Sequence, residues 1–187
     1  SSDNLEGKSV LVQGIGHVGE VLVQHLTESG AIVTITDINE DRVHQVGAKY
    51  GAKIYTGADL YSADVDIYAP CALGATINDA TINNFKASII AGAANNQLAN
   101  EAVHGKILKE KGILYAPDFL INAGGVINVY SELVKWTNAQ VMEKTENIYN
   151  TALEIFKFAD DNNITTHQAA FSMAQKRIDD AKNELKK

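Results

Sequence analysis

The sequence predicts an α/β fold: a doubly wound, mainly parallel sheet of six strands with two added helices at its C-terminal end. Over the first two-thirds of the chain, short apolar or β-branched runs alternate with helical patterns, which is typical of βαβ units. After about Gly124 the pattern is helical only. Right-handed crossovers between such units favour the strand order 3-2-1-4-5-6.

The strands are predicted from short runs of high β propensity bounded by turn residues. A parallel sheet of such strands needs helices on both of its faces. The expected strands are Ser9–Gln13, Ala31–Asp37, Lys53–Tyr55, Asp66–Ala69, Ser88–Ala91 and Ile113–Ala116.

Three helices are expected between these strands. The first follows the first strand and ends at Gly30, which suits a left-handed cap. The second begins after the cap residue Asn39 and stops at Gly51. The third and clearest spans Glu101–Lys111.

Two long amphipathic helices are expected in the C-terminal part, the second capped by Thr165 or Thr166. We therefore expect a sheet domain over residues 1–135 and a helical part over 136–187. The surface that the helices cover belongs either to this sheet or to a domain outside the sequence. Their apolar stripes are Val141, Thr145, Ile148, Ala152, Ile155 and Ala159, then Ala170, Met173, Ala174, Ile178, Ala181 and Leu185.

Composition narrows the class of protein. The chain has 187 residues, is 45% hydrophobic and carries a net charge of −7, which argues against a nucleic-acid groove because such a groove needs a basic face. It has no apolar run of the roughly 20 residues that a membrane span needs, and no metal site is expected. The single Cys71 excludes an internal disulfide and suits a reducing, cytoplasmic compartment.

The stretch VLVQGIGHVGEVL, residues 10–22, places Gly14, Gly16 and Gly19 at the spacing G-x-G-x-x-G. It follows a predicted strand and opens a predicted helix, the context in which the motif binds a dinucleotide in a Rossmann-type fold. The helix N-terminus offers free N–H groups to the pyrophosphate. His17 lies inside the loop and is interpreted as solvent-facing rather than catalytic.

Asp37 ends the second strand and stands 18 residues after the third glycine. A carboxylate there binds the ribose hydroxyls of adenosine and repels a 2′-phosphate, so NAD is predicted rather than NADP. Two alternatives stay open. Arg42, five residues later, could reach a 2′-phosphate, and Asp37 could instead be a turn acid that caps a helix.

Three further stretches are APCALGATIN (69–78), AGAANNQL (91–98) and APDFLINAGGVINVYSEL (116–133). Together with LVQGIGHVG and TDIN, they resemble the cofactor domain of the glutamate, leucine, phenylalanine and valine dehydrogenases, and most of all the leucine, phenylalanine or valine branch. The resemblance implies reversible oxidative deamination. In that reaction an L-amino acid and NAD give a 2-oxo acid, ammonia and NADH.

The resemblance also implies site residues. Asn122 lies between nicotinamide and substrate in this interpretation; the alternative is a helix-capping asparagine. Asn95 contacts the nicotinamide ribose, although the register leaves Asn96 open. Cys71 is either a nucleophile or, as we expect, a small buried thiol. The predicted cofactor-binding set is Gly14, Gly16, His17, Val18, Gly19, Asp37, Ile38, Pro70, Cys71, Ala72, Ala93, Ala94, Asn95 and Asn122.

The family uses lysines near a Gly-Gly-Gly-Lys stretch of an N-terminal domain to activate and hold its substrate. This sequence has no such stretch, and Gly124-Gly125 is its one Gly-Gly pair. We therefore expect no catalytic residue in this chain, which would be the NAD-binding half of a homo-oligomeric enzyme and inactive alone. The choice among leucine, valine and phenylalanine stays open. The alternative is a stand-alone NAD-binding sensor without catalysis.

Overall fold

A computed structural model of the chain describes residues 4–185. They fall into two compact units, residues 4–118 and 119–185. The units divide after residue 118, whereas the sequence placed a boundary after residue 135. The helix Gly124–Val134 belongs to the second unit because it packs on the long helix Asn138–Asp161. The assignment of a C-terminal part that bridges to a further domain stays a prediction.

The first unit is built on a sheet of six parallel strands in the order β3-β2-β1-β4-β5-β6, which confirms the predicted architecture. Central β1 pairs with both β2 and β4, with Val10 opposite Val33 on one side and Ile67 on the other. Three of the strands, β3, β5 and β6, have only two residues each and are shorter than predicted. The strands are β1 (Ser9–Gln13), β2 (Ile32–Thr36), β3 (Lys53–Ile54), β4 (Ile67–Pro70), β5 (Ile89–Ile90) and β6 (Leu114–Tyr115).

Three helices connect these strands: α1 (His17–Glu28), α2 (Glu40–Tyr50) and α3 (Glu101–Glu110). The predicted caps are present. Asn39 accepts a hydrogen bond from the Arg42 N–H at the start of α2. Gly51 follows α2 in the left-handed region, with φ of 70°, a conformation that glycine adopts without steric cost.

Helices cover both faces of the sheet. Successive residues of a strand point to opposite faces, and β1 accordingly divides between two cores. Val10 and Val12 pack with Val23 of α1 and Val43 of α2. Leu11 belongs to the other core, whose buried members also include Tyr68, Ile77, Ile82, Phe85, Ile90, Leu98, Leu108 and Tyr115.

The second unit is helical. Its elements are α4 (Asp118–Ile121, whose first residue belongs to the first unit), α5 (Gly124–Val134), α6 (Asn138–Asp161) and α7 (Thr166–Glu184). Thr165, one of the two predicted cap residues, caps α7 through a reciprocal capping box with Gln168, whereas Thr166 is the first residue of the helix. The core of the unit is formed by Ile155, Ala159, Ala169 and Ala170.

The predicted apolar stripe of α7 is buried only at its beginning. Ala170 is buried, whereas Ala174 and the stripe residues beyond it are exposed. The pattern predicted the helix correctly, but α7 packs on α6 through its first turns and continues past that contact. None of the helices within residues 4–185 combines the length and apolarity needed to cross a bilayer.

Candidate functional site

A cavity of about 480 Å³ opens where the carboxyl ends of β1, β2 and β4 meet. The central strand pairs with both neighbours there, and a doubly wound sheet binds its ligands at this edge. Backbone hydrogen bonds join the strand ends: the Gly14 N–H donates to Thr36 O and the Cys71 N–H to Gln13 O. The lining residues are Gln13, Gly14, Gly16, Thr36, Asp37, Ile38, Leu60, Cys71, Ala72 and Leu73.

The three motif glycines have different surroundings. Gly14 has φ of 92°, and a Cβ there would lie 2.5 Å from the Ala72 nitrogen. A Cβ on Gly19 would lie 2.1 Å from the Gly14 carbonyl oxygen. Around Gly16, by contrast, no described atom apart from its own and those of its two chain neighbours lies within 4 Å of a Cβ position. Two glycines therefore permit the turn itself, and the third leaves space on the cavity side.

Helix α1 begins directly after this loop. Gly16 is its N-cap residue, and no side chain caps that end within the described part of the chain. The first-turn amides thus remain available to an anion, and the helix dipole favours negative charge there. His17 and Val18 form the exposed first turn and Gly19 is buried. Gly14 and Gly16 line the cavity, whereas the contacts of His17, Val18 and Gly19 with a cofactor stay a prediction.

Asp37 lies at the end of β2 and its carboxylate holds two backbone amides. Oδ2 accepts from the Ile15 N–H at 2.8 Å, and Oδ1 accepts from the Asn39 N–H at 2.9 Å. The turn-acid alternative is therefore correct in part, although the α2 cap itself is Asn39. A carboxylate offers about four acceptor positions, so these two bonds leave Asp37 able to bind hydroxyls in the cavity it lines.

A cluster of charged side chains stands behind the loop. Arg42 donates from Nε to Ile15 O at 3.1 Å and pairs through Nη2 with Glu20 of α1. Lys49 pairs with the same carboxylate at 2.9 Å, and the Tyr50 hydroxyl donates to it at 3.3 Å. The hydrogen bond from Lys49 is the main cause that holds the Glu20 pKa below its usual value. The sequence suggested Arg42 as a contact but not its partner, which lies 22 residues away.

The rim of the cavity is apolar. Ile38 is fully exposed and Leu73 is 93% exposed, while Leu60 is partly buried. Leu60 and Leu73 were not predicted from the sequence. Leu60 belongs to a 3-10 turn (Leu60–Ser62) and Leu73 to a loop after β4, and neither position carries a motif that marks it as a ligand contact.

Cys71 and Ala72, directly after β4, form the opposite wall of the cavity. Pro70 is buried, Cys71 is partly buried, and Ala72 packs under Gly14. Burial raises the pKa of the Cys71 thiol, against a smaller opposing effect of a backbone hydrogen bond at Ala93. A raised pKa lowers the thiolate fraction and hence the nucleophilicity at neutral pH, which supports the small-thiol interpretation.

The loop after β5 is fixed to this wall. The Ala94 N–H donates to Pro70 O at 2.9 Å, and a Cβ on Gly92 would lie 2.2 Å from that same oxygen. Gln97, fully buried and absent from the predicted set, donates from Nε2 to Gly92 O and Ala94 O. Its Oε1 has no hydrogen-bond partner among the described residues. Gln97 thus holds the loop that carries the predicted contact residues.

Those predicted contacts lie beyond the lining of the cavity. Ala93 is partly buried, while Asn95 and Asn96 are both exposed. Exposure does not distinguish the two asparagines, although Asn96 adopts φ of 54°. The role of each stays a prediction.

Asn122 belongs to the second unit, in the turn between α4 and α5, and is partly buried. The N-cap residue of α5 is Ala123, whose side chain makes no capping hydrogen bond, and the helix-capping alternative for Asn122 stays open. The contact of Asn122 with nicotinamide and substrate stays a prediction. Within residues 4–185, no three His, Cys, Asp or Glu side chains are grouped so as to hold a metal ion.

Comparison with known proteins agrees with this geometry. An L-tryptophan dehydrogenase of Nostoc punctiforme is 45% identical over 186 residues, which is the whole chain but 53% of the relative. A leucine dehydrogenase of Geobacillus stearothermophilus is 49% identical over 95% of the chain and 48% of the relative. The crystal structure of the Nostoc punctiforme enzyme superposes with a TM-score of 0.93, covering 97% of this chain and 55% of that one.

The chain thus spans about half the length of the curated relatives it matches. Over residues 35–185 it also matches the family model described as glutamate/leucine/phenylalanine/valine dehydrogenase. That region begins within β2 and includes Asp37 as well as the loops after β4 and β5. The fold, the edge at which the cavity lies and the match over most of the chain agree: this chain belongs to the glutamate/leucine/phenylalanine/valine dehydrogenase family.

Proposed function

We propose that this chain is the NAD-binding half of an L-amino-acid dehydrogenase that interconverts a branched-chain or aromatic L-amino acid with its 2-oxo acid and ammonia. The observation that carries the proposal is Asp37, which lines the cavity and holds the Ile15 amide of the glycine loop. The relatives named for leucine, tryptophan and phenylalanine support this substrate class.

The residues of the cavity fit a dinucleotide. The open space around Gly16 admits a phosphate against the α1 N-terminus. Asp37 accepts hydrogen bonds from ribose hydroxyls, and the apolar rim of Ile38, Leu60 and Leu73 suits a base. The acid at Asp37 opposes a 2′-phosphate, so we propose NAD rather than NADP as the cofactor.

The other end of the cofactor lies toward the β4 and β5 loops in this proposal. When bound, NAD takes up a hydride from the substrate α-carbon. Backbone groups of Pro70, Cys71 and Ala72, with Ala93, Ala94 and Asn95, line the nicotinamide riboside. Asn122 orients substrate and carboxamide, because an amide donates and accepts at once.

The substrate-activating lysines lie outside this chain in our proposal, in an N-terminal catalytic domain. The chain's coverage of about half of each relative supports this. Closure of two domains would exclude water and align the reactants. The intact protein would then be a cytoplasmic homo-oligomer, with the helices of residues 136–187 bridging to the catalytic domain.

Direct binding tests the proposal. We expect the 187-residue chain to bind NADH weakly and to show no amino-acid turnover, since one wall of the site is absent. Asp37→Ala should weaken NADH binding about tenfold, the value of a charge-assisted hydrogen bond, and NADPH binding less. Fluorescence titration measures both. Failure of the wild-type chain to bind NADH at millimolar concentration would reject the proposal, and equal losses for both nucleotides would reject the ribose contact of Asp37.

A further inference from the structure

Arg42 and Asp37 both bind the backbone of Ile15 in the glycine loop. The two side chains hold opposite ends of one residue: the Ile15 N–H donates to Asp37 and the Ile15 carbonyl accepts from Arg42 Nε. Bond lengths along Ile15 place the bonded carboxylate oxygen and guanidinium nitrogen within about 10 Å of each other. A guanidinium so placed is the usual partner of a 2′-phosphate.

Glu20 forms an ion pair with the guanidinium of Arg42. Its side chain is 18% exposed and pairs with Arg42 Nη2 and with Lys49 Nζ, while the Tyr50 hydroxyl also donates to it. The pKa of Glu20 is lowered, first by the hydrogen bond from Lys49, so the carboxylate is charged at neutral pH. Both basic side chains of this cluster are therefore paired with an acid.

We propose that Glu20 is a specificity-determining residue, which selects NAD over NADP by holding Arg42 against the glycine loop. The inference rests on the proposed function, because it concerns the nucleotide of that site. Glu20 acts as a positioning residue through Arg42, and Asp37 supplies the direct repulsion of a 2′-phosphate. Without Glu20, Arg42 Nη2 can bind that phosphate, and the exclusion of NADP depends on Asp37 alone.

The test is the ratio of NADPH to NADH affinity, measured by fluorescence titration on the 187-residue chain. Glu20→Gln keeps the size of the side chain and removes its charge. We expect this variant to raise the ratio about tenfold, the value of one charge-assisted hydrogen bond. Glu20→Ala, which removes the acceptor, should raise it equally. Circular dichroism checks that each variant is folded.

Matched variants separate Arg42 from a general charge effect. Glu28→Gln, at the other end of α1, removes the same charge and should leave the ratio unchanged. Arg42→Met in the Glu20→Gln background should abolish the gain, whereas Lys49→Met in that background should keep it.

An unchanged ratio in both Glu20 variants would overturn the inference, and so would a gain that survives the loss of Arg42. These failures differ from failure of the proposed function, which appears as a wild-type chain that binds no NADH.

Discussion

At the scale of single residues, the glycine motif combines two kinds of requirement. Gly14 and Gly19 are enclosed by backbone, with Cβ positions 2.5 Å and 2.1 Å from the nearest atoms. Contacts this short cannot be relieved by rotating a side chain, since the neighbouring atoms are backbone. Gly16 has free space instead and a φ of −61°, which any residue adopts. Packing therefore does not require a glycine at position 16, although its N-cap position favours one; a ligand on the cavity side gives a further reason.

We therefore expect alanine substitutions at Gly16 and Gly19 to have different effects on folding stability and on NADH affinity. Gly16→Ala should cost about 1 kcal/mol or less of unfolding free energy, the difference between glycine and alanine at an N-cap, yet weaken NADH binding at least tenfold. Gly19→Ala should destabilise the protein by about 3 kcal/mol, because the helix must move away from Gly14. Urea unfolding and NADH titration measure the two quantities. Normal NADH affinity in Gly16→Ala would contradict a phosphate at that position.

At the scale of elements, the sequence predicted every strand and its place in the sheet, because β-branched runs and turn residues are local signals. It overestimated β3, β5 and β6, which have two residues each. How far the pairing of a strand continues depends on its neighbours in the sheet, which are distant in sequence. The cap residues Asn39, Gly51 and Thr165 were predictable because capping is local.

Part of the candidate site was predictable for the same reason. The glycine loop and Asp37 form a motif with fixed spacing, and the structure places both at one cavity. The pairing of Glu20 with Arg42 was not predictable, since it joins the first turns of two helices through side chains alone. Gln97 was missed because its backbone contacts depend on how the loop after β5 folds.

The hydrogen bonds between Ser9 of β1 and Asp66, the residue before β4, lead to a prediction about how stability depends on pH. Asp66 Oδ2 accepts from the Ser9 N–H at 2.8 Å and from the Ser9 hydroxyl at 2.7 Å. The Ser9 N–H is the main cause that lowers the Asp66 pKa from its usual 3.8. A lowered folded-state pKa stabilises the protein above pH 3.8, and this stabilisation is lost as the pH falls through the folded-state value.

Asp66→Asn should therefore lower the melting temperature by a few degrees at pH 7, with the difference from wild type shrinking below pH 3.8. Thermal unfolding followed by circular dichroism across this pH range measures it. Asp64→Asn, an exposed position two residues earlier, is the charge control and should have little effect at either pH. A deficit in Asp66→Asn that is as large at pH 3 as at pH 7 would show that the carboxylate charge does not contribute.

At the scale of the whole molecule, a net charge of −7 repels a dianionic nucleotide over long distances. Glu20 binds both Arg42 and Lys49 and cancels one of their two charges, so this cluster contributes a single net positive charge. Attraction in the cavity must then come from short-range donors, chiefly the uncapped amides of α1. Binding should accordingly be governed by loop geometry rather than by overall charge.

Because NADH binds only when the glycine loop is folded, binding stabilises the folded state. At a free NADH concentration of 100 times Kd, linkage gives about 2.7 kcal/mol, so amides of β1, β2 and β4 that exchange only through global opening of their unit should slow about 100-fold. Hydrogen exchange followed by mass spectrometry measures this. Gly16→Ala at the same NADH concentration is the control: with tenfold weaker binding, its exchange should slow only about tenfold. Unchanged exchange in wild-type β1, or equal slowing in the variant, would mean that the nucleotide does not bind at the glycine loop.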